Sequence, residues 1–188
     1  MHREPNCLYE IAIDSLQLNF IGAAPIDFTE TLENGRSSYI LFELLVARLA
    51  GLTTDGQGAG SDLADEAGVG YEVKSYRDPE LYPQPRYDWF HTAASRYFGS
   101  NSSTREYKKY LEVDDRAAML AMCKTAGFDH NEFYIYTNTG GYKPEIPFRY
   151  MIIPSEEVLR RLLPSDPRKV SRVALLEMCS GRTKRITL

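Results

Sequence analysis

A regular spacing of apolar residues predicts a helix in the first third of the chain. The segment YILFELLVARLA, residues 39–50, consists largely of strong helix formers. Ser37 and Ser38 precede it as capping residues, and Gly51 follows it as a stop. Glu43 is the one acidic residue of this segment. Since burying a lone carboxylate on an apolar helix is costly, Glu43 is expected to have a cation or a hydrogen-bond donor as its partner.

Shorter segments with alternating polarity predict a β-sheet. Residues 62–64 and 71–76, on either side of a turn, have the pattern of a hairpin, and aromatic and branched residues predict strands at 132–137 and 148–153. Further helices are predicted at 8–18, 87–98, 114–126 and 155–163, and 170–178 fits either a helix or a strand. The sequence therefore predicts a single α/β (α+β) domain over residues 1–188, with a central mixed β-sheet flanked by helices.

The composition is that of an ordinary folded protein, with 43% hydrophobic and 26% charged residues in 188. Glu43 interrupts the longest apolar run, which is far shorter than the ~20 residues that span a bilayer. Charges and Pro5 stand where a signal peptide would need an apolar core. Three widely spaced cysteines give neither a disulfide framework nor a zinc knuckle. A cytoplasmic protein without a membrane partner is expected.

The charge is distributed unevenly along the chain. The net charge is −4, but residues 160–188 hold eight basic and two acidic residues, so this segment carries +6 and the rest of the chain −10. A negative total argues against a polyanionic partner, because proteins that bind nucleic acids usually present a basic surface. The basic C-terminal segment is the region that would offer such a surface.

The candidate chemistry lies on the predicted hairpin. Glu72 and Lys74 are two residues apart on one strand, so their side chains emerge on the same face, and Asp62 is expected to lie across from them. Two carboxylates can hold a hard divalent cation through oxygen ligands. The ammonium of a neighbouring lysine can polarise water or stabilise negative charge on a phosphate. These are the parts that phosphodiester hydrolysis requires, whereas Asp65, nearer the turn, is expected to be exposed to solvent.

Asp62, followed by Glu72-Val73-Lys74, resembles the PD-(D/E)xK signature of type II restriction endonucleases and related DNA-cleaving enzymes, with Ser61 at the position of the family's proline. The resemblance spans residues 37–76. It implies a restriction-endonuclease-like core, in which the motif lies on a hairpin of a mixed sheet and the preceding helix adds a glutamate, here Glu43.

The resemblance also implies roles for individual residues. The expected catalytic residues are Asp62, Glu72, Lys74 and Glu43, and the expected metal ligands are Asp62, Glu72, Val73 and Glu43. Lys74 would orient or activate the attacking water. The expected cofactor is Mg²⁺; Mn²⁺ is expected to substitute for it, and Ca²⁺ to support DNA binding without cleavage.

The partners implied are double-stranded DNA and a second copy of the chain in a homodimer, in a bacterial or archaeal cytoplasm. No nucleotide cofactor is expected, because the glycines before Asp62 lack the lysine of a phosphate loop. Polar loops and the residues after the hairpin have the composition of DNA-contacting segments. The candidates for DNA contact are Arg77, Arg86, Arg96, Ser100, Asn101, Ser102, Ser103, Arg105, Asn138, Thr139 and Lys143.

Two alternatives to a restriction endonuclease stay open. One is a DNA repair or junction-resolving nuclease of the same superfamily. The other is a non-catalytic module that binds DNA or another partner through the basic C-terminal third. His91 is compatible with a general base or with a packed or surface histidine.

Overall fold

The computed structural model describes residues 1–13, 17–18, 26–27, 39–54, 61–92, 117, 121, 131–163 and 166–187. The strands in these ranges are β1 (Cys7–Ile11), β2 (Gln17–Leu18), β3 (Ile26–Asp27), β4 (Thr53–Thr54), β5 (Leu63–Ala64), β6 (Gly70–Ser75), β7 (Trp89–His91), β8 (Phe133–Thr137), β9 (Phe148–Pro154), β10 (Leu162–Leu163), β11 (Asp166–Ser171) and β12 (Thr183–Ile186). The helices are α1 (Tyr39–Ala50), α2 (Ser155–Arg160), α3 (Arg172–Met178) and a short 3-10 helix (Pro85–Tyr87).

Seven strands form a central sheet in the order β12-β1-β9-β8-β6-β5-β4. β1 runs parallel to β12 and β6 runs parallel to β8, while the other neighbouring pairs are antiparallel. Strands β10, β11 and β7 form a second, antiparallel sheet, and β2 pairs with β3. The predicted mixed α/β class with a central mixed sheet is thus confirmed.

The central strands separate two apolar cores. Along β8, Phe133 and Ile135 face one core, whereas Tyr134 and Tyr136 face the other. The first core contains the buried side of α1, and the second contains buried residues of α2 and α3. Because both faces of β8 and β9 are covered, these strands are almost continuously apolar rather than alternating.

Helix α1 confirms the prediction for residues 39–50, and Gly51 ends it with a positive φ of 68°. The hairpin β5–β6 and the strands β8 and β9 also lie where the sequence predicts them. Among the described helices, none has the length and apolar character needed to cross a membrane. The capping residues Ser37 and Ser38 lie outside the described residues.

Two predicted helices are wrong where the structure describes them. In the segment 8–18, residues up to Ile11 belong to β1, because pairing with β9 and β12 on both sides overrides the weak helical period and buries Cys7, Tyr9 and Ile11 on one face. In the segment 87–98, the 3-10 turn is followed by β7, which pairs with β11 and buries Phe90.

The remaining elements differ from the predictions mainly in their bounds. The helix predicted at 155–163 ends at Arg160, because β10 follows it and pairs with β11. The undecided segment 170–178 contains the end of β11 and the whole of α3. Of the helix predicted at 114–126, Ala117 and Ala121 are helical and the other residues lie outside the described ranges.

A buried ionic network joins β9 to the loop that leaves β6. The Arg149 guanidinium donates to Asp78 Oδ2 at 3.1 Å, to Glu10 Oε1 at 2.9 Å, and ion-pairs with Glu80 Oε1 at 2.6 Å. The Asn138 amide donates to Asp78 Oδ2 at 2.9 Å and accepts from the Arg149 main-chain N–H at 2.8 Å. Since the Asp78 side chain is only 1% exposed, these bonds replace its lost hydration.

Replacing Asp78 with alanine should lower the free energy of unfolding by about 3 kcal/mol, because Arg149 and Asn138 would lose a buried partner. Urea unfolding followed by circular dichroism measures this change. The matched control is Arg160→Ala, which removes exposed ion pairs with Glu156 and Glu157 and should change stability by less than about 1 kcal/mol. Equal losses in the two variants would contradict a stabilising role for the network.

Candidate active site

The hairpin that carries the candidate residues is closed by an acidic side chain. Asp65 Oδ1 accepts hydrogen bonds from Val69 N at 2.9 Å and from Ala67 N at 3.0 Å, and Gly68 follows with a φ of 80°. Asp65 Oδ2 also lies 3.4 Å from Arg3 Nη1, and the Asp65 side chain is only 12% exposed. The expectation that Asp65 is exposed to solvent is therefore wrong: its carboxylate folds back to hold the turn.

The structure brings Asp62, Glu72, Val73 and Lys74 together at one point of the hairpin. Asp62 Oδ2 accepts a hydrogen bond from Val73 N at 2.8 Å, which fixes the carboxylate across the strand pair. The Lys74 ammonium contacts the Glu72 carboxylate, donates to Val73 O at 3.2 Å and lies 4.0 Å from Asp62 Oδ2. Oxygen atoms of three neighbouring residues thus converge on a single cation.

The members of this cluster differ in their access to solvent. The Glu72 side chain is 3% exposed, whereas those of Lys74 and Asp62 are 17% and 26% exposed. Burying the Glu72 carboxylate requires a compensating charge, and Lys74 supplies it. The cluster is therefore anchored inside the protein at Glu72 and opens to solvent on the side of Asp62.

Helix α1 adds Glu43 to the electrostatics of this cluster. Burial raises the pKa of the Glu43 carboxyl, the negative charges of Asp62 and Glu72 raise it further, and the positive charge of Lys74 lowers it. These influences link Glu43 to the hairpin. Because the pKa is raised overall, Lys74 offsets only part of the cost of ionising Glu43, and the cation or hydrogen-bond partner expected for this residue stays a prediction.

The donor atoms suit a hard divalent cation, because Asp62, Glu72 and Glu43 offer carboxylate oxygens and Val73 a main-chain oxygen. Three of these residues already surround the positive charge of Lys74. Within the described part of the chain, no three His, Cys, Asp or Glu side chains form a group able to hold a metal ion by themselves. The carboxylates of Asp62, Glu72 and Glu43 thus do not form such a group, and the Lys74 ammonium lies between those of Asp62 and Glu72.

Two predicted DNA-contacting residues, Arg77 and Arg86, lie just beyond the cluster. Arg77 follows β6, and its guanidinium stacks over the rings of Tyr82 and Tyr87 at 4.7 and 4.8 Å. The Arg86 guanidinium lies 4.6 Å from the ring centre of Tyr87. Both arginines are exposed, so their charges are presented to solvent beside the end of the strand that bears Lys74.

The predicted contacts after β8 are placed differently. Asn138 and Thr139 are 1% and 2% exposed, and both side chains are engaged in the fold: Asn138 in the Arg149 network, Thr139 in a 2.9 Å hydrogen bond with the Thr137 hydroxyl. Neither side chain is presented to a partner. Lys143 is half-buried.

Several candidates fall outside the description of the structure. Those of the loop after residue 95 lie outside the described residues: Arg96, Ser100, Asn101, Ser102, Ser103 and Arg105. The backbone of His91 forms part of β7, while its side chain lies outside the description. The predicted roles of these residues stay predictions.

Three cations of the basic C-terminal segment are paired with acidic residues near the start of the chain. Lys184 ion-pairs with Glu4, Arg182 lies 3.9 Å from Glu4, and Arg185 lies 3.6 Å from Glu10. These cations belong to β12 or precede it, at the sheet edge opposite β4. Four strand spacings separate β12 from β6, or about 19 Å, so this positive charge is remote from the candidate site.

Arg172 has a structural role that no sequence pattern predicts. It is 3% exposed, and its guanidinium donates to Arg77 O at 2.7 Å, to Tyr82 O at 3.4 Å and to Asp88 Oδ1 at 2.6 Å. It thereby ties the first turn of α3 to the segment that leaves β6. Its partners lie 84 to 95 residues away along the chain, so no local pattern could identify it.

A scan against protein-family models and searches of curated proteins and of solved structures found no match to this chain. The cluster of Asp62, Glu72, Val73 and Lys74 is therefore the feature from which a function is proposed.

Replacing Glu43 with glutamine should raise the thermal unfolding temperature at pH 7 in EDTA. Because the folded protein raises the pKa of Glu43 above the ordinary value of about 4.3, ionising this carboxyl destabilises the fold. The wild-type protein loses this stability as the pH rises from the pKa of Glu43 in the unfolded chain through its higher pKa in the folded protein. At about pH 3.5 the group is protonated in both states, so variant and wild type should unfold alike.

The exposed Glu177→Gln variant is the control for this measurement and should change the unfolding temperature little at either pH. A Glu43→Gln protein that is less stable than wild type at pH 7 would contradict the prediction that ionised Glu43 destabilises the fold. It would show that attraction to Lys74 stabilises the ionised Glu43 carboxylate by more than burial and repulsion from Asp62 destabilise it.

Proposed function

We propose that this protein is a Mg²⁺-dependent endodeoxyribonuclease of the PD-(D/E)xK type, which hydrolyses phosphodiester bonds in DNA. The observation that carries this proposal is the convergence of Asp62, Glu72 and Val73 oxygens on the Lys74 ammonium. Two further features support it. The motif lies on a hairpin of a mixed sheet, and the charges of Asp62, Glu72 and Lys74 affect the pKa of Glu43 on the preceding helix α1.

The chain's own residues would share the work as follows. Asp62, Glu72, Val73 and Glu43 would hold Mg²⁺, which when bound supplies a positive charge that polarises the phosphate and lowers the pKa of water. The hydrogen bond from Val73 N keeps the Asp62 carboxylate oriented without the metal. Lys74 would orient the attacking water and stabilise the charge that develops on the phosphate oxygens.

The finer proposal is a type II restriction endonuclease that cuts double-stranded DNA at a specific sequence. One such cluster cuts one strand, so a homodimer would supply the second. Arg77, Arg86 and Lys143 remain the described candidates for contacts with DNA. Mn²⁺ is proposed to replace Mg²⁺ in the reaction, no nucleotide cofactor takes part, and the setting is a bacterial or archaeal cytoplasm.

The Lys74→Ala variant should lose DNA cleavage by about a hundredfold or more, because it lacks the charge beside the reacting phosphate. Cleavage of a diverse set of linear DNAs with Mg²⁺ or Mn²⁺ measures this loss, and circular dichroism verifies that the variant is folded. The control is Lys184→Ala, which removes a lysine at the far sheet edge and should leave the rate unchanged. Full activity of the Lys74→Ala protein would contradict the assignment.

The same assay separates the alternatives when branched and linear substrates are compared. Cutting of branched DNA alone would select a repair or junction-resolving nuclease. A module that only binds a partner would cleave nothing and would keep its binding when Asp62 and Glu72 are replaced with alanine.

Adding Ca²⁺ in place of Mg²⁺ should strengthen DNA binding without allowing cleavage. The acidic cluster repels phosphate until a divalent cation offsets it, so binding without metal should be weak and should fall steeply with salt. Fluorescence anisotropy of a labelled duplex measures the affinity. The Asp62→Asn variant should lose most of the gain from Ca²⁺, and an unchanged wild-type affinity would indicate that the cluster lies away from the DNA.

A further inference from the structure

A cavity of about 360 Å³ lies at the carboxyl end of β6. Ser75, which directly follows Lys74, forms part of its wall, and Arg77, Arg86, Tyr87 and Trp89 form much of the rest. Its volume is at the lower end of the range for small-molecule pockets, ≈300–1,000 Å³. Among the described residues that line the cavity none is acidic, so its chemistry favours an anionic ligand with a flat part that can stack on an aromatic ring.

The positive charges at this cavity are available to a ligand. Arg77 and Arg86 are held by stacking on tyrosine rings, and within the described part of the chain neither forms an ion pair with a carboxylate. The arginines and lysine of the β12 edge, by contrast, are paired with Glu4 and Glu10. Stacking holds each guanidinium in place while leaving its N–H donors free for phosphate oxygens.

Aromatic rings give the cavity a second kind of contact. Trp89 and Tyr87 both line it, and the Lys169 ammonium lies 4.2 Å from the centre of the Trp89 ring. Aromatic rings combined with arginine are typical of sites that bind single-stranded nucleic acids, where bases stack on the rings and the cations contact the backbone.

The walls of the cavity are fixed by contacts from behind. Arg172 hydrogen-bonds Arg77 O and Asp88 Oδ1 and so holds both sides of the segment. Gly140, also in the wall, donates from its N–H to Tyr76 O at 2.9 Å. A Cβ at Gly140 would lie 2.7 Å from Tyr76 O, so this close approach requires glycine. The cavity is thus formed before any ligand arrives.

We infer that this cavity binds one nucleotide that has left the base stack, beside the bond to be cut, with its base against Trp89 and its phosphate at Arg77 and Arg86, which Tyr87 holds in place. The inference rests on the proposed nuclease function and narrows its substrate class. DNA in which a nucleotide is unpaired or easily extruded is preferred to a fully paired duplex, since unstacking is easiest there.

Trp89 is the one tryptophan of the chain, so its fluorescence reports on the cavity directly. A single-stranded oligonucleotide of about ten nucleotides, a duplex with one unpaired central nucleotide, and a fully paired duplex are titrated at low salt with Ca²⁺ in place of Mg²⁺, the condition expected to support binding without cleavage. The first two probes should quench the emission and bind more tightly than the third. Arg77→Ala and Arg86→Ala should each weaken binding of the single strand by about tenfold.

The matched control is Arg185→Ala, which removes an exposed arginine at the opposite sheet edge and should leave binding unchanged. Equal binding of all three probes, or unchanged affinity in both cavity variants, would overturn the inference. A protein that cleaves DNA without any change in Trp89 emission keeps the nuclease proposal and loses the pocket. One that binds these probes through Arg77 and Arg86 but cleaves nothing keeps the pocket and loses the nuclease proposal.

Discussion

The buried ion pair between Arg149 and Asp78 is the interaction on which the surroundings of the candidate site depend. Asp78 lies three residues after β6, and its carbonyl oxygen accepts hydrogen bonds from Leu81 N at 3.2 Å and from Tyr82 N at 2.8 Å. The loop is thereby bent so that the Tyr82 ring meets Arg77. Arg149 is in β9, near the middle of the sheet. Its ion pair with Asp78 therefore fixes the loop after β6 to the central strands. A charged pair is used here because it satisfies several donors and acceptors that a hydrophobic pair would leave unpaired.

Strand β6 joins this rigid region to the catalytic candidates. It runs parallel to β8 and antiparallel to β5, and Glu72 and Lys74 share one of its faces. The Glu72 carboxylate is buried, and the positive charge of Lys74 offsets the cost of its desolvation. The attraction between the two charges also holds the Lys74 ammonium near the carboxylate. The same two residues therefore have a structural role and a proposed catalytic one. A metal cation bound at the cluster would offset the charge of Glu72 in place of Lys74. The Lys74 ammonium would then be available for its proposed catalytic role.

Local patterns predicted the parts of the fold that local physics determines. Helix α1 has its own periodicity and a glycine stop, and the β5–β6 hairpin has alternation on both sides of a turn. The local pattern predicts a helix for residues 8–11, but these residues form a strand because they pair with β9 and β12, which come from the far end of the chain. The polar composition of its loop predicts that Asn138 contacts DNA, but its side-chain amide is hydrogen-bonded to Asp78 and to the main chain of Arg149. The buried, structural role of Arg172 is not predictable from local patterns, because its hydrogen-bond acceptors are distant in the sequence.

The location of charge, rather than its sum, decides whether an acidic protein can bind DNA. Three of the eight cations of the basic C-terminal segment, Arg182, Lys184 and Arg185, are paired with Glu4 and Glu10 at the far edge of the sheet. Lys169 and Arg172 of the same segment instead contact Trp89 and Arg77. Arg77 and Arg86 are fewer, but they stand beside the candidate site and face no carboxylate partner within the described residues. A long-range attraction summed over the protein would be weak, and screening beyond about 8–10 Å would weaken it further. The proposed binding of DNA would therefore have to come from close contacts at the end of β6, where stacking on tyrosine rings holds Arg77 and Arg86 in place.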